Sequence, residues 1–504
     1  MTAHLMLGLQ TVFSVTNILM IVLGVMLGLI FGAIPGLSGG TAIILLLPLT
    51  FRMDATQAII LLVAISCASS YGGSIASILL GIPGNVASIV TVFDGHPMAL
   101  RGEAGRAIGD ATVSSMFGGL FASVVLVLLT PTLSRFALRF GAPEYFMLAL
   151  WGLVCCASAE DESGFPMKGL VAGLCALLFA CVGSAPFYGT NRFTFGIRYM
   201  ADGIPYIPLM TGMFAAASVF KMAEKAGQKD AMQQELPAVN RILPERKTLL
   251  RMIPTWLRGS AIGTMVGIIP GAGLSIGTFL AYNTEKKLSK HPEKFGTGID
   301  EGICSCESAN NSTAVGAMIP MLSLGVPGNS TAALLMASLM LHGIAMGPTM
   351  LTTNAKTSYG IYVALFIINV VMVPFGLFLA KHIRPFFRIS KPLIGALVLM
   401  FCAAGAFASR NFVFDVYVFI AGGFVGYMLY RMNIPMAAII LAFILGHMCE
   451  ENFIKSMKLF KGSYSFLVTR PITLIMIFVC AYFLLSPFVK TFLKNRRAKK
   501  DSGQ

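Results

Sequence analysis

The stretch CESANNSTAVG, ending at Gly316, gathers Glu307, Asn310, Asn311, Ser312 and Thr313 where a polar segment enters an apolar one, and no Lys or Arg occurs from Phe295 through Ala355. An anion bound there has no arginine clamp, so helix N-termini, backbone nests and neutral amides must hold it. The same carbonyl and side-chain oxygens also suit a small cation. Four Pro-Gly pairs interrupt other apolar runs, at Pro35-Gly36, Pro83-Gly84, Pro270-Gly271 and Pro327-Gly328. Pro removes a backbone donor and Gly tolerates unusual dihedrals, so each pair ends one half-helix and opens the next. Freed backbone groups at membrane depth persist only where protein, water or a ligand satisfies them. The four breaks are therefore expected to converge on one cavity. Its predicted lining is Gly36, Ser38, Gly84, Asn85, Gly271, Asn310, Asn311, Gly328, Asn329 and Ser330, with the four asparagines sharing it. The series Gly24/Gly28/Gly32 and Gly259/Gly263/Gly267 read instead as close helix packing.

The elements that carry these residues follow from composition. Of 504 residues, 56% are hydrophobic and only 12% charged, with mean hydropathy +0.78, which excludes an ordinary soluble globule. Apolar stretches recur from 17–34 through 57–82, 259–280 and 312–342 to 470–489, so the fold class is an all-α polytopic membrane protein. The net charge of +15 reports topology rather than nucleic-acid binding, because the bases lie between and after apolar segments. No Lys or Arg precedes Arg52, eight fall in 221–258, and six lie in the tail KTFLKNRRAKK. The central loop and the C-terminus are read as cytoplasmic and the N-terminus as periplasmic. Ten scattered cysteines without Cys-x-x-Cys pairs, and six dispersed histidines, give no metal site.

Two halves repeat each other. GLIFGAIPGLSGG, from Gly28, matches GTMVGIIPGAGLS, from Gly263, and GGSIASILLGIPGN, from Gly72, matches GAMIPMLSLGVPGN, from Gly316, in the same order. The expected division is a first transmembrane repeat at 1–220, a basic cytoplasmic linker at 221–258, a second repeat at 259–489 and a basic tail at 490–504. Opposite starting sides make the repeats inverted, an arrangement common in secondary transporters. The basic loop 286–294 fits either a single span from Gly259 or a hairpin turning at Pro270-Gly271; only the hairpin keeps its lysines cytoplasmic. Against transport stand a membrane enzyme acting on a lipid-linked substrate, which needs a catalytic constellation that the sequence does not display, and a non-transporting scaffold, which has no use for matched polar breaks.

At GAIPGLSGG, YGGSIASILLGIPG, DGHPMALRGEAGRA, GIIPGAG, EKKLSKHPEKFGTGIDEG, ESANNS and LGVPGNSTAALLMASLMLHGI the chain resembles the large membrane subunit of the tripartite tricarboxylate transporter family. The resemblance implies a symporter that imports small di- or tricarboxylates across the bacterial inner membrane, driven by Na+ or H+. It also implies a small membrane subunit and a periplasmic solute-binding protein as partners. Where the family pattern commonly has Ala-Pro-Glu, this chain has Ser305-Cys306-Glu307, so the local turn and the substrate preference are not carried over.

Overall fold

Helix ends in this chain fall where side chains or glycines take over the backbone's unpaired groups. Asp54 accepts from the Thr56 amide at 2.9 Å and opens a helix of 26 residues, which Gly81 ends in the left-handed region at φ 66°. The structure, a computed structural model, describes residues 2–34, 37–50, 53–159, 167–187, 189–224, 237, 239, 246–270, 273–383, 385, 391–434, 436–482 and 484. Half of the basic linker, 225–236, 238 and 240–245, and all of the tail 490–504 lie outside these. In chain order the helices are α1 (Thr2–Val12), α2 (Val15–Ala33), α3 (Gly39–Thr50), α4 (Ala55–Leu80), α5 (Ile89–Met98), α6 (Ala104–Ala137), α7 (Ala142–Ala159), α8 (Met167–Ala180), α9 (Tyr206–Thr211), α10 (Ala217–Glu224) and α11 (Arg246–Ile268). They continue as α12 (Leu274–Leu288), α13 (Asp300–Gly316), α14 (Met318–Leu324), α15 (Ser330–Leu341), α16 (Met350–Thr353), α17 (Ala355–His382), α18 (Lys391–Arg410), α19 (Val413–Arg431), α20 (Met436–Leu459), α21 (Phe466–Thr469) and α22 (Pro471–Tyr482).

The protein is a polytopic all-α membrane protein. Among the described residues α2, α4, residues 86–137, α17 and α19 are long and apolar enough to cross a bilayer. At 1.5 Å per residue α4 is about 39 Å long, more than the ~30 Å hydrocarbon layer requires. The apolar stretch 312–342 is not one element. It is cut after Gly316 and again at Gly325, which is left-handed at φ 73° and ends α14 ahead of Pro327. Contacts divide the chain into two compact units, residues 1–137 with 218–409 and residues 138–217 with 410–504.

In the first unit α2 lies on α4, and glycines set the distance. A Cβ on Gly24 or Gly28 would fall 2.6 Å from the carbonyl oxygen of Leu61 or Ile65, and one on Gly32 would strike that of Ser69. Gly259, Gly263 and Gly267 of α11 meet the carbonyls of Ser305, Ala309 and Thr313 of α13 in the same way, at 2.5–2.6 Å. Both series rise together along the two helices, so α2 runs parallel to α4 and α11 runs parallel to α13. Thr255 and Arg258 of α11 donate to Glu285 near the end of α12, at 2.6–2.9 Å, so the chain doubles back between Ile268 and Leu274. This is the hairpin that the basic loop 286–294 called for. Across the halves, Ser74 meets Glu307 and Ser70 meets Asn310, so α4 and α13 run in opposite directions.

The second unit pairs its acids with bases or hydroxyls. Arg192, on a two-residue hairpin strand, grips Glu450 of α20 with two guanidinium nitrogens at 2.6 and 3.1 Å. Arg410 holds the buried Asp415 at 2.6 and 3.0 Å, and Glu144 of α7 takes Arg470 at 2.8 Å and Thr473 at 2.9 Å. Glu451 forms an exposed pair with Lys455 one turn on.

Candidate functional site

α13 is polar yet buried along nearly its whole length, a combination that needs internal partners. Asp300 and Glu301 sit in its first turn, where the helix dipole favours negative charge, and Arg106 of α6 pairs with Asp300 at 2.5 Å. Two turns further along the helix is Glu307, with no exposed surface at all. Its carboxylate takes the Ser74 hydroxyl of α4 at 2.5 Å, the Ser115 hydroxyl of α6 at 2.8 Å and the Thr91 hydroxyl of α5. The Asn310 side chain lies against it as well. No Lys, Arg or His among the described residues pairs with it. Gly118 of α6 rests on the Ser308 backbone, an approach too close for a side chain, and this closeness brings Ser115 within reach.

Asn310 and Asn85 meet on one acceptor. The Asn310 amide donates to the Ser70 carbonyl at 3.0 Å and the Asn85 amide donates to the same carbonyl at 3.1 Å and to that of Ser69 at 3.0 Å. Asn311 is turned elsewhere, with its amide 3.6 Å from the Met372 sulfur of α17. The side-chain oxygens of Asn310, Asn311 and Asn369 are buried without a hydrogen-bond partner. Three orphaned carbonyl oxygens around one helix are unusual, because buried polar atoms are nearly always paired.

The two described breaks are built alike. The Gly84 amide donates to the Gly73 carbonyl at 3.3 Å, and the Gly328 amide donates to the Ala317 carbonyl at 3.2 Å. Asn85 then accepts from the Ser88 amide at 2.9 Å, and Asn329 accepts from the Ala332 amide at 2.8 Å, each capping the helical turn that follows. Neither Gly84 nor Gly328 is left-handed; Gly81 and Gly325 are. Glycine is required at Gly84 and Gly328 by close approach, since an added Cβ would press on the carbonyls of Gly32 and Gly267. Their amides are occupied by the protein's own backbone, which leaves any anion to the first turns beyond. Ser330 begins α15, and the Ser38 hydroxyl accepts from the Thr41 amide at the start of α3, 3.2 Å away. α3 packs on α15, and α12 packs on the turn Val86–Ser88. Gly36 and Gly271 lie outside the described residues. No hydrogen bond joins Asn311 or Asn329 to the Asn85–Asn310 pair.

A second buried acid has the opposite kind of shell. Asp94 of α5 accepts backbone amides of Gly296, Gly298 and Ile299 at 2.7–3.1 Å and the Tyr282 hydroxyl at 2.8 Å. Arg101 clamps the same loop through the Thr297 and Gly298 carbonyls. Asp94 therefore fixes the segment that leads into α13. Glu307's partners Ser74, Thr91 and Ser115 are the site residues that sequence reasoning missed. Each is a single hydroxyl on a different helix, and only the lack of a base near Glu307 pointed toward them.

The model of the tripartite tricarboxylate transporter TctA family matches residues 18–441. A protein of Agrobacterium vitis described as "Uncharacterized 52.8 kDa protein in TAR-I ttuC' 3'region" is 33% identical over 492 residues, 97% of each chain. A second from the same organism, "Uncharacterized protein in TAR-II ttuC' 3'region", is 33% identical over 232 residues, 45% of this chain and 96% of that one. No solved structure matches.

Proposed function

Because the chain belongs to the tripartite tricarboxylate transporter TctA family, a family of membrane components of tricarboxylate transport, we propose that it is a secondary active importer of small di- or tricarboxylates driven by a cation. On this reading it is a symporter of the bacterial inner membrane, not an enzyme, and works with a small membrane subunit and a periplasmic solute-binding protein. Its N-terminus is periplasmic and its C-terminus cytoplasmic.

The observation that carries the reading is the paired construction of the breaks. Gly84–Asn85 and Gly328–Asn329 repeat the same backbone bond and the same asparagine cap, the first pair after α4 and the second after α13 and α14, and α4 and α13 run in opposite directions. This supports two inverted repeats, 1–220 and 259–489, joined by 221–258 and followed by a tail at 490–504. Alternating access then exchanges which half opens. The carboxylate substrate is held by first-turn amides and polar side chains at the breaks, with Gly36, Ser38, Gly84, Asn85, Gly271, Gly328, Asn329 and Ser330 shaping the approach. Helix N-termini favour an anion there without a basic side chain. Asn310 and Asn311 line the polar helix beside it.

Uptake of labelled di- and tricarboxylates into vesicles, with and without an imposed cation gradient, tests the proposal. Asn311→Leu is expected to abolish uptake while leaving the protein folded and inserted. Normal transport by that variant returns Asn311 to a packing role, and no uptake of any carboxylate by the wild type rejects the reading.

A further inference from the structure

We propose that Glu307 is the site at which one small cation, a proton or a sodium ion, is bound and released in each cycle. The proposal rests on the transport reading above and adds the residue that couples.

The contrast with Asp94 carries the argument. Asp94 is met by three backbone N–H groups, which only donate, and by one hydroxyl, that of Tyr282, so its shell is built mainly for an ionised carboxylate. Glu307 is met by the hydroxyls of Ser74, Thr91 and Ser115. A hydroxyl carries one donor and two acceptor sites. The three groups therefore donate to the ionised carboxylate and, by rotating, offer lone pairs to a cation or to a carboxyl proton. The displaced O–H of Ser115 then has the carbonyl one turn back on α6 as an acceptor. The Asn310 side chain lies against the carboxylate as well, and its own oxygen is buried without a partner.

The charge balance points the same way. The titratable groups facing Glu307 are Tyr71 of α4 and Cys306 of α13, with Asp94 of α5 beyond Cys306. None of these is cationic. Asp110 of α6 and Asp300 of α13 lie further back along their helices, and Arg106 is engaged by Asp300. Among the described residues an anion buried in this shell has no counter-charge, so a mobile cation is the way to neutralise it. The carboxylate and the three hydroxyl oxygens suit a hard ion such as sodium as well as a proton.

The test uses the purified full-length chain in detergent, with two readouts that need no carboxylate. One is the thermal unfolding midpoint in NaCl against KCl at fixed pH. The other is the infrared C=O band of a protonated carboxyl during a pH titration in KCl. A sodium-specific rise in midpoint that is missing from Glu307→Gln identifies sodium. A band that grows on acidification and is missing from Glu307→Gln identifies the proton. Either result supports the site. If neither readout responds in the wild type, Glu307 is a fixed anion like Asp94 and the proposal fails. Should Glu307→Gln not fold, Thr91→Ala and Ser115→Ala are expected to displace the responding titration by about tenfold in cation concentration, since each removes a bond to a charged group; no displacement overturns the proposal. A cation response without carboxylate uptake counts against the transport reading alone. Cation-driven uptake without either response counts against Glu307 alone.

Discussion

α4 and α13 are the same frame filled differently. Each lies parallel to a glycine-lined helix, α2 or α11, and a left-handed glycine, a Pro-Gly pair and a capping asparagine follow α4 directly and follow α13 after the short α14. In that shared register Val63 stands where α13 has Glu307, and Met318 stands where α4 has Ser74. The backbone is repeated and the chemistry is not. The matched contacts are thus kept for what must pack and turn, while the Glu307 carboxylate has no counterpart on α4. The proposed cation site is therefore expected once in the chain, not twice.

The largest effect comes from breaking either frame. Gly28→Leu and Gly263→Leu each force a side chain against a carbonyl that already excludes a Cβ, so both are expected to lose about 3 kcal/mol or more and to fail to yield monodisperse protein. If one is tolerated on size-exclusion chromatography and the other is not, the frames are not equivalent.

Next in size is the attempt to restore chemical symmetry. Val63→Glu puts a carboxylate in the matching position with Met318, not a serine, across the register, and is expected to cost about 2–4 kcal/mol in thermal unfolding. Glu307→Gln keeps the shape and is expected to unfold near the wild type while losing cation-driven uptake. A Val63→Glu protein as stable as the wild type would mean that α4 already offers a polar shell there.

A smaller difference separates the turns. Gly81→Ala and Gly325→Ala both place a Cβ on a left-handed residue, at about 1 kcal/mol each. Gly81→Ala is expected to be the worse, because its Cβ would also lie 2.8 Å from the His96 ring, whereas at Gly325 the nearest atom is 3.5 Å away. Equal midpoints for the two would remove that distinction.

The smallest effect belongs to an exposed base on the last turn of α12. Lys286→Gln is expected to change stability by less than about 0.5 kcal/mol, measured as the unfolding midpoint, since the Lys286 side chain is exposed there.

What could be read from the sequence was local in character. Pro83-Gly84 and Pro327-Gly328 act on their own segments, so the breaks, the capping positions and the glycine series were visible as short matched strings. The shell of Glu307 was not visible in that way. Its donors come from α4, α5 and α6, and a lone serine in an apolar helix looks like packing until the helices are assembled. In the apolar stretch 312–342 the break at Pro327-Gly328 was visible but the cut after Gly316 was not, because apolar character alone does not reveal where a helix ends. The chain halves and the compact units are also different divisions of the molecule. Each unit draws on both halves, since units are defined by contacts between distant segments and repeats by order along the chain.

The most direct measurement is carboxylate accumulation in native membrane vesicles from cells lacking the chain, supplied with periplasmic extract and complemented by wild type or Glu307→Gln. The account predicts that an inward cation gradient drives uptake of a labelled di- or tricarboxylate with the wild type, that an ionophore collapsing the gradient stops it, and that Glu307→Gln, inserted to the same level, accumulates none. Uptake indifferent to the gradient, or accumulation by Glu307→Gln at the wild-type rate, would contradict it.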